Sequence, residues 1–181
     1  MAVCTYALPV AKFDASCPNA LFGQIKKLYW TRPGDALTAV SSLTEWNTRL
    51  SNTTVLPASP TLAPIRSLPI IGSLPEPEKS EVEVSLGRYV YTKPKYRIPF
   101  SIDEITDENV ALVRDQEQNP ARKHTFWIET EAGQLFGGNS GFSASFKLAL
   151  VIPEGKSEIQ KIVGELKWEG YLPSHIATPF V

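Results

Sequence analysis

Three groups of residues carry side chains capable of chemistry. Gly138-Asn139-Ser140-Gly141 frames a serine between glycines. A nucleophilic Ser140 needs a histidine base and an orienting acid within hydrogen-bond reach. The only histidine nearby in sequence, His124, falls just upstream on a neighbouring predicted strand, so a glycine turn joining two strands is the expected role. The stretch 101–119 gathers six carboxylates and one arginine, a local charge of −5. Asp103 with Glu104, or Asp107 with Glu108, would be the paired acids of an acid–base site. Adjacent helix positions point in different directions, however, and no partner base accompanies them. Finally, Cys4, Cys17, His124 and His175 are too few and too widely spaced for a metal site. The two cysteines are expected to be free thiols. The sequon Asn52-Thr53-Thr54 matters only in a secreted chain. No phosphate-binding loop, zinc cluster or nucleotide fingerprint is present. The chain is expected not to be an enzyme, with no catalytic, cofactor-binding or metal residues.

The elements that would position these residues belong to one domain. A chain of 181 residues can bury roughly 70% of the surface its unfolded form exposes. Hydrophobic residues make up 43%, an ordinary globular share. With 18 basic and 19 acidic side chains the net charge is −1, which argues against a nucleic-acid binder or a peripheral membrane protein, both usually basic. No apolar run approaches the ~18 residues of a membrane span, so no membrane anchor is expected. The start of the chain lacks the charged and apolar regions of a secretory leader.

Fifteen prolines against 11 glycines predict short elements and much ordered loop. Residues 1–20 read as an irregular N-terminal segment. A strand is predicted from Gly23 to Thr31, ended by Pro33-Gly34-Asp35. Ser42 with Glu45 forms a capping box, followed by Leu43, Trp46 and Leu50 on one helical face. Residues 57–77 interleave six prolines with Leu62, Ile65, Leu68, Ile70, Ile71 and Leu74. Such a stretch is too apolar for a solvated linker and shows no strand or helix period, so an extended arm that packs on a neighbour is expected. Glu81 to Leu86 alternates polar and apolar residues as a half-buried strand does. Tyr89 to Lys93 and Tyr96 to Ile102 continue the β pattern. A helix over 106–118 should dock on a sheet through Ile105, Asn109, Val110, Leu112 and Val113. Three further strands are predicted at 125–130, 142–152 and 162–168. The second places Phe142, Ala144, Phe146, Leu148, Leu150 and Ile152 on one face. The sum is a mainly β fold, a sandwich or barrel, with one flanking α-helix.

Two runs resemble a known family. Ile25-Lys26-Lys27-Leu28-Tyr29-Trp30-Thr31, with Pro33-Gly34-Asp35 behind it, is similar to the tail tube and related tail-structural proteins of phages of Bacteroidetes-type hosts. So is the unit from Phe126 to Gly138, a strand, an acidic turn and a Gly-rich connection. The Pro-rich segment departs from that family by being longer and stiffer than a plain hairpin arm. The resemblance implies a tail-tube type of β fold and a homo-oligomer of stacked, hexameric rings. It implies a virion tail protein assembled in the host cytoplasm, with other tail and connector proteins as partners. DNA would pass through without specific binding. On this reading Leu62, Ile65, Leu68, Ile70 and Ile71 of the arm are assembly residues. Asp107 and Glu108 join them by meeting Arg88, Lys93, Lys95 or Arg97 of an adjoining subunit. Glu81, Glu83, Glu165 and Glu169 would face the lumen. The alternatives are a connector or tail terminator subunit, a ligand-binding β-sandwich using Trp30, Trp46, Trp127 or Trp168, and a hydrolase centred on Ser140.

Overall fold

A computed structural model of the chain describes residues 23–53, 63–78, 81–85, 87–155 and 158–180. Its elements in chain order are β1 (Ile25–Thr31), α1 (Leu43–Leu50), β2 (Arg66–Gly72), β3 (Glu81–Ser85), β4 (Arg88–Tyr91) and β5 (Lys95–Ile102). They continue with α2 (Asp107–Gln118), β6 (His124–Thr130), β7 (Gln134–Phe136), β8 (Phe142–Val151), β9 (Lys161–Glu169) and β10 (His175–Ala177). Among the described residues two helices, rather than one, accompany the strands.

Six strands close an antiparallel barrel in the order β1-β2-β5-β9-β8-β6, the circle completed by β6 on β1. The outer edge of β6 is shared: its first residues pair with β8 and its later ones with β7, which carries β10. Alternation sets the inside. Ile98, Phe100 and Ile102 of β5 meet Ile162, Leu166 and Trp168 of β9 and Ala144, Phe146 and Leu148 of β8 in one buried cluster. A barrel of this size has an interior that side chains just fill. Gly164 shows how tightly: a Cβ there would collide with the Phe100 ring, so the glycine is what lets that ring cross the barrel. Val113 of α2 enters the same cluster, and Leu112 packs against it.

A second core lies on the outer face of β1 and β6. Tyr29 and Trp127, the outward neighbours of inward-facing residues, pack with Leu37, Val40, Trp46, Ile65 and Leu135. Trp46 brings α1 onto this face, its ring 5.1 Å from Tyr29 and 5.5 Å from Trp127. The predicted capping box is half realised. Ser42 Oγ accepts the Glu45 amide at 3.3 Å, but the Glu45 carboxylate turns to the amides of Thr38 and Ala39 at 2.8 and 2.9 Å. On α2, Thr106 caps the Asn109 amide and Pro120 follows the end of the helix.

The Pro-rich arm expected over 57–77 is corrected. Arg66–Gly72 forms β2, paired with β1 along its length, and Ile65, Leu68 and Ile70 are buried. Pro69 is tolerated because β5 joins β2 only at Ile71 and Gly72, so the strand behaves there as an edge. Of the segment's described aliphatics, Ile71 and Leu74 stay exposed. Leu62 lies outside the described residues. The expected burial of 81–86 is corrected too: β3 pairs only with β4, in a separate two-stranded sheet, and its described side chains are exposed. Leu150 and Ile152, predicted on the same face as Phe146 and Leu148, are exposed: β6 pairs with β8 only as far as Ala144, and Ile152 lies beyond the last β8–β9 pair.

Candidate assembly surface

The β3–β4 hairpin is built from local signals. Gly87 takes a left-handed φ of 77° in the turn, and Glu83 Oε1 accepts its amide at 3.0 Å. The register pairs Val82 with Val90, Glu83 with Tyr89 and Glu81 with Tyr91. Cross-strand partners share a face. One face therefore sets Val82 against Val90 and the other sets tyrosine against glutamate, while Val84 falls at a register shift between Glu83 and Ser85. Val84 is 58% and Tyr91 68% exposed. The hairpin is joined to the barrel through a bridge at its base, where Glu78 and Lys95 exchange two 2.9 Å backbone bonds. A lone two-stranded sheet is marginal in water. Covering each valine, already about half shielded, is worth about 1 kcal/mol, so this arm gains from a partner.

A second apolar patch sits where β8 turns into β9. Leu150 and Val151 are each 37% exposed, Ile152 65% and Ile159 77%. The residues between include Glu154 and Glu158, and Lys161 opens β9. The barrel mouth near the arm holds a third feature, an apolar cavity of about 190 Å³ bordered by Ile25, Ile128, Phe136, Trp168 and Leu172.

Inside the fold two polar centres act structurally. Glu129, buried on β6, accepts hydrogen bonds from Tyr29 Oη at 2.7 Å and Thr178 Oγ1 at 3.1 Å, with Lys26 Nζ at 3.2 Å. Thr178 thereby ties the C-terminal segment to the barrel. Burial, followed by the hydrogen bond to Glu129 and its charge, pushes the Tyr29 phenol well above the usual tyrosine range. The folded chain then holds a proton that the unfolded chain releases above pH about 10. Stability should be full below that pH and fall as pH rises through it. Urea titrations across the alkaline range should show that loss. Tyr29→Phe should flatten it, while costing about 1–3 kcal/mol at neutral pH because Glu129 loses a donor. An unchanged alkaline slope in the variant would assign it elsewhere. Arg49, wholly buried on α1, is the second centre: its guanidinium donates to the carbonyls of Ala63, Ala36 and Asp35.

The sequence-predicted residues scatter over these features. Asp107 and Glu108 are exposed at the start of α2. Glu81 and Glu83 lie on the arm, while Glu165 and Glu169 lie on β9. Glu165 sits 2.6 Å from Lys167 and 3.9 Å from Arg97, and Arg97 also approaches Glu78 at 3.6 Å. Part of the basic set expected to meet the helix acids is thus engaged within its own chain. Ser140 is exposed. The loop beside it is anchored rather than slack, because Asn139 holds the backbone of Leu37, Thr38 and Val40. His124 packs on Phe126 and Phe146, and burial, reinforced by Arg122, lowers its pKa. Trp46 and Trp127 are fully buried, so neither offers a platform to a ligand.

The exposed valines, the tyrosines of the arm and the β8–β9 patch were legible as strand residues but not as surface. A Val-rich run and a Tyr-rich run separated by Gly87 are a hairpin signal; nothing local says that the hairpin stands apart. Among the described residues no group of histidine, cysteine and carboxylate side chains could hold a metal ion, and no helix is long and apolar enough to cross a membrane. No family model, curated protein or solved structure matches the chain.

Proposed function

We propose that this protein is a virion structural subunit of the tail-tube type, assembling with copies of itself into stacked hexameric rings through which phage DNA passes. The observation that carries the reading is the β3–β4 arm, with a valine face and a tyrosine face both open to solvent on an otherwise closed barrel. The barrel wall is closed by β6 on β1 and leaves short free edges, such as the β2 stretch before Ile71 and the outer side of β10, so a detached arm is an economical way to reach a neighbour. The near-neutral surface fits a conduit that must not grip phosphates. Exposed Asp107 and Glu108 are available to a basic neighbour, and Glu81, Glu83 and Glu169 remain the candidates for a lumen wall. In this reading the protein resides in the virion tail after assembly in the host cytoplasm, beside other tail and connector proteins.

Negative-stain microscopy and mass measurement of the purified chain test this. Hollow tubes or stacked rings are expected, and single rings only would favour a connector or terminator role. Replacing Tyr89 and Tyr91 by aspartate should arrest assembly with an unchanged melting temperature, since both are exposed in the single chain. A wild-type chain that stays monomeric at high concentration, or a double variant that assembles normally, would overturn the proposal.

A further inference from the structure

We propose that the mouth of the barrel is a binding site for a small neutral molecule, about one aromatic ring in size, that carries a hydrogen-bond acceptor. The site is independent of assembly and uses neither face of the arm. Side chains just fill the interior of a small barrel, but the filling is incomplete at the end where β1 starts and β6 and β9 finish. A cavity of about 190 Å³ lies there, walled by Ile25, Ile128, Phe136 and Trp168. Barrel mouths are among the places where small-molecule sites recur. Leu74 and Leu172, on the segments that follow β2 and β9, also border it. They are 37% and 48% exposed, so a molecule seated in the mouth would cover apolar surface that the described chain leaves in water.

Size and chemistry restrict the occupant. An apolar cavity of about 150 Å³ stays dry and takes up benzene, whereas drug-sized ligands need about 300 Å³ or more. A single substituted ring is the scale that fits, and a lipid chain exceeds it. None of the lining residues is charged, and burying an ion without a partner is costly, so the ligand is neutral. The polar requirement comes from Trp168. It is 7% exposed, and its buried Nε1 finds no acceptor among the described residues. Tyr96 of β5 stacks on the indole at 4.5 Å, and Phe142 of β8, the strand on the other side of β9, lies at 4.8 Å. With a ring on either side, the indole is left to meet the cavity by its rim, which carries that N–H. The polar residues of the wall do not satisfy it: the Thr130 hydroxyl is engaged with the Gln134 backbone at 3.3 and 3.5 Å, and the Gln134 carboxamide does not accept it. A buried donor without an acceptor is costly, and a ligand oxygen would remove that cost.

Acetophenone and α-methylstyrene test this on the full chain, because they share a shape and only the first has an acceptor. Titrations followed by the indole N–H resonances should show saturable binding of acetophenone with a Kd below about 1 mM, the Trp168 Nε1 proton moving downfield. α-Methylstyrene should compete for the same site without that downfield shift. Ala132→Leu adds bulk to the wall of the mouth, and Leu172→Asp puts a charge at its half-exposed border. Each should weaken both ligands at least about tenfold while thermal melts stay near wild type, and either one decides if the other melts early. No saturable binding of either molecule, as when another part of the chain already fills the mouth, would overturn the proposal. Binding that the variants retain would place the ligand elsewhere and overturn it too. Binding in the mouth with the Trp168 proton unmoved, or of α-methylstyrene alone, would overturn the assigned hydrogen bond and with it the ligand class.

Discussion

Arg49→Ala is expected to destabilise the fold by about 3–5 kcal/mol, read as a fall in the urea midpoint with little change in slope. The guanidinium is fully buried and spends its donors on three carbonyls from two separate loops: Ala63 at 2.7 Å, Ala36 at 2.8 Å and Asp35 at 3.4 Å. The Arg49 carbonyl in turn accepts the Ile65 amide at 3.0 Å. One residue thus fastens α1 to the loop after β1 and to the entry of β2. Burial draws its pKa below the usual arginine value, while the charges of Glu45 and Asp35 act the other way. Removing the side chain leaves the three carbonyls short of a donor and opens a cavity beneath Trp46's helix. Arg49→Lys should recover only part of the loss, because one ammonium cannot span the fork that three separate carbonyls occupy. A change below about 1 kcal/mol would mean that water replaces the guanidinium and that the clasp is dispensable.

Phe146→Ala should cost about 3–5 kcal/mol by the same measurement. Its ring is 2% exposed and stands 5.4 Å from Phe126, 5.7 Å from His124 and 6.0 Å from Trp30. Leu166 is its partner across the β8–β9 pair, so truncation removes contacts on several sides that cannot all collapse into the gap. Ile152→Ala provides the internal control. It sits on the same predicted face but 65% exposed, and the change should stay within about 0.5 kcal/mol. Similar losses at both positions would mean that the tip of β8 is covered in the single chain.

That pair of variants marks where local pattern stops. The alternation through Phe142, Ala144, Phe146 and Leu148 correctly distinguishes two faces. It continues unbroken through Leu150 and Ile152, although both are exposed and β6 pairs with β8 only as far as Ala144. Period-two patterning records that a strand's faces differ, not how far its partners extend. The arm shows the same limit. Val82 and Val84 alternate with glutamates as a half-buried strand would, yet β3 finds only β4. The Pro-rich segment errs in the opposite direction. Its prolines hide β2 from any propensity argument, while a position between β1 and the end of β5 makes Pro69 harmless.

What the sequence alone determined is what neighbours in the chain decide. The Ser42 cap, the break at Pro33-Gly34, and the alternation of β8 and β9 all rest on interactions within a few residues. Only the tertiary structure decided the rest, because each depends on residues far apart in the chain. Closure needs β6 to return to β1, and Glu129 draws in Tyr29 and Thr178 from opposite ends of the described chain. Arg49 looks like an ordinary exposed helix arginine until Asp35, Ala36 and Ala63 converge on it. The side of a strand that meets water is set by what the rest of the chain leaves uncovered, and for the arm and the β8–β9 tip nothing in the described chain covers it.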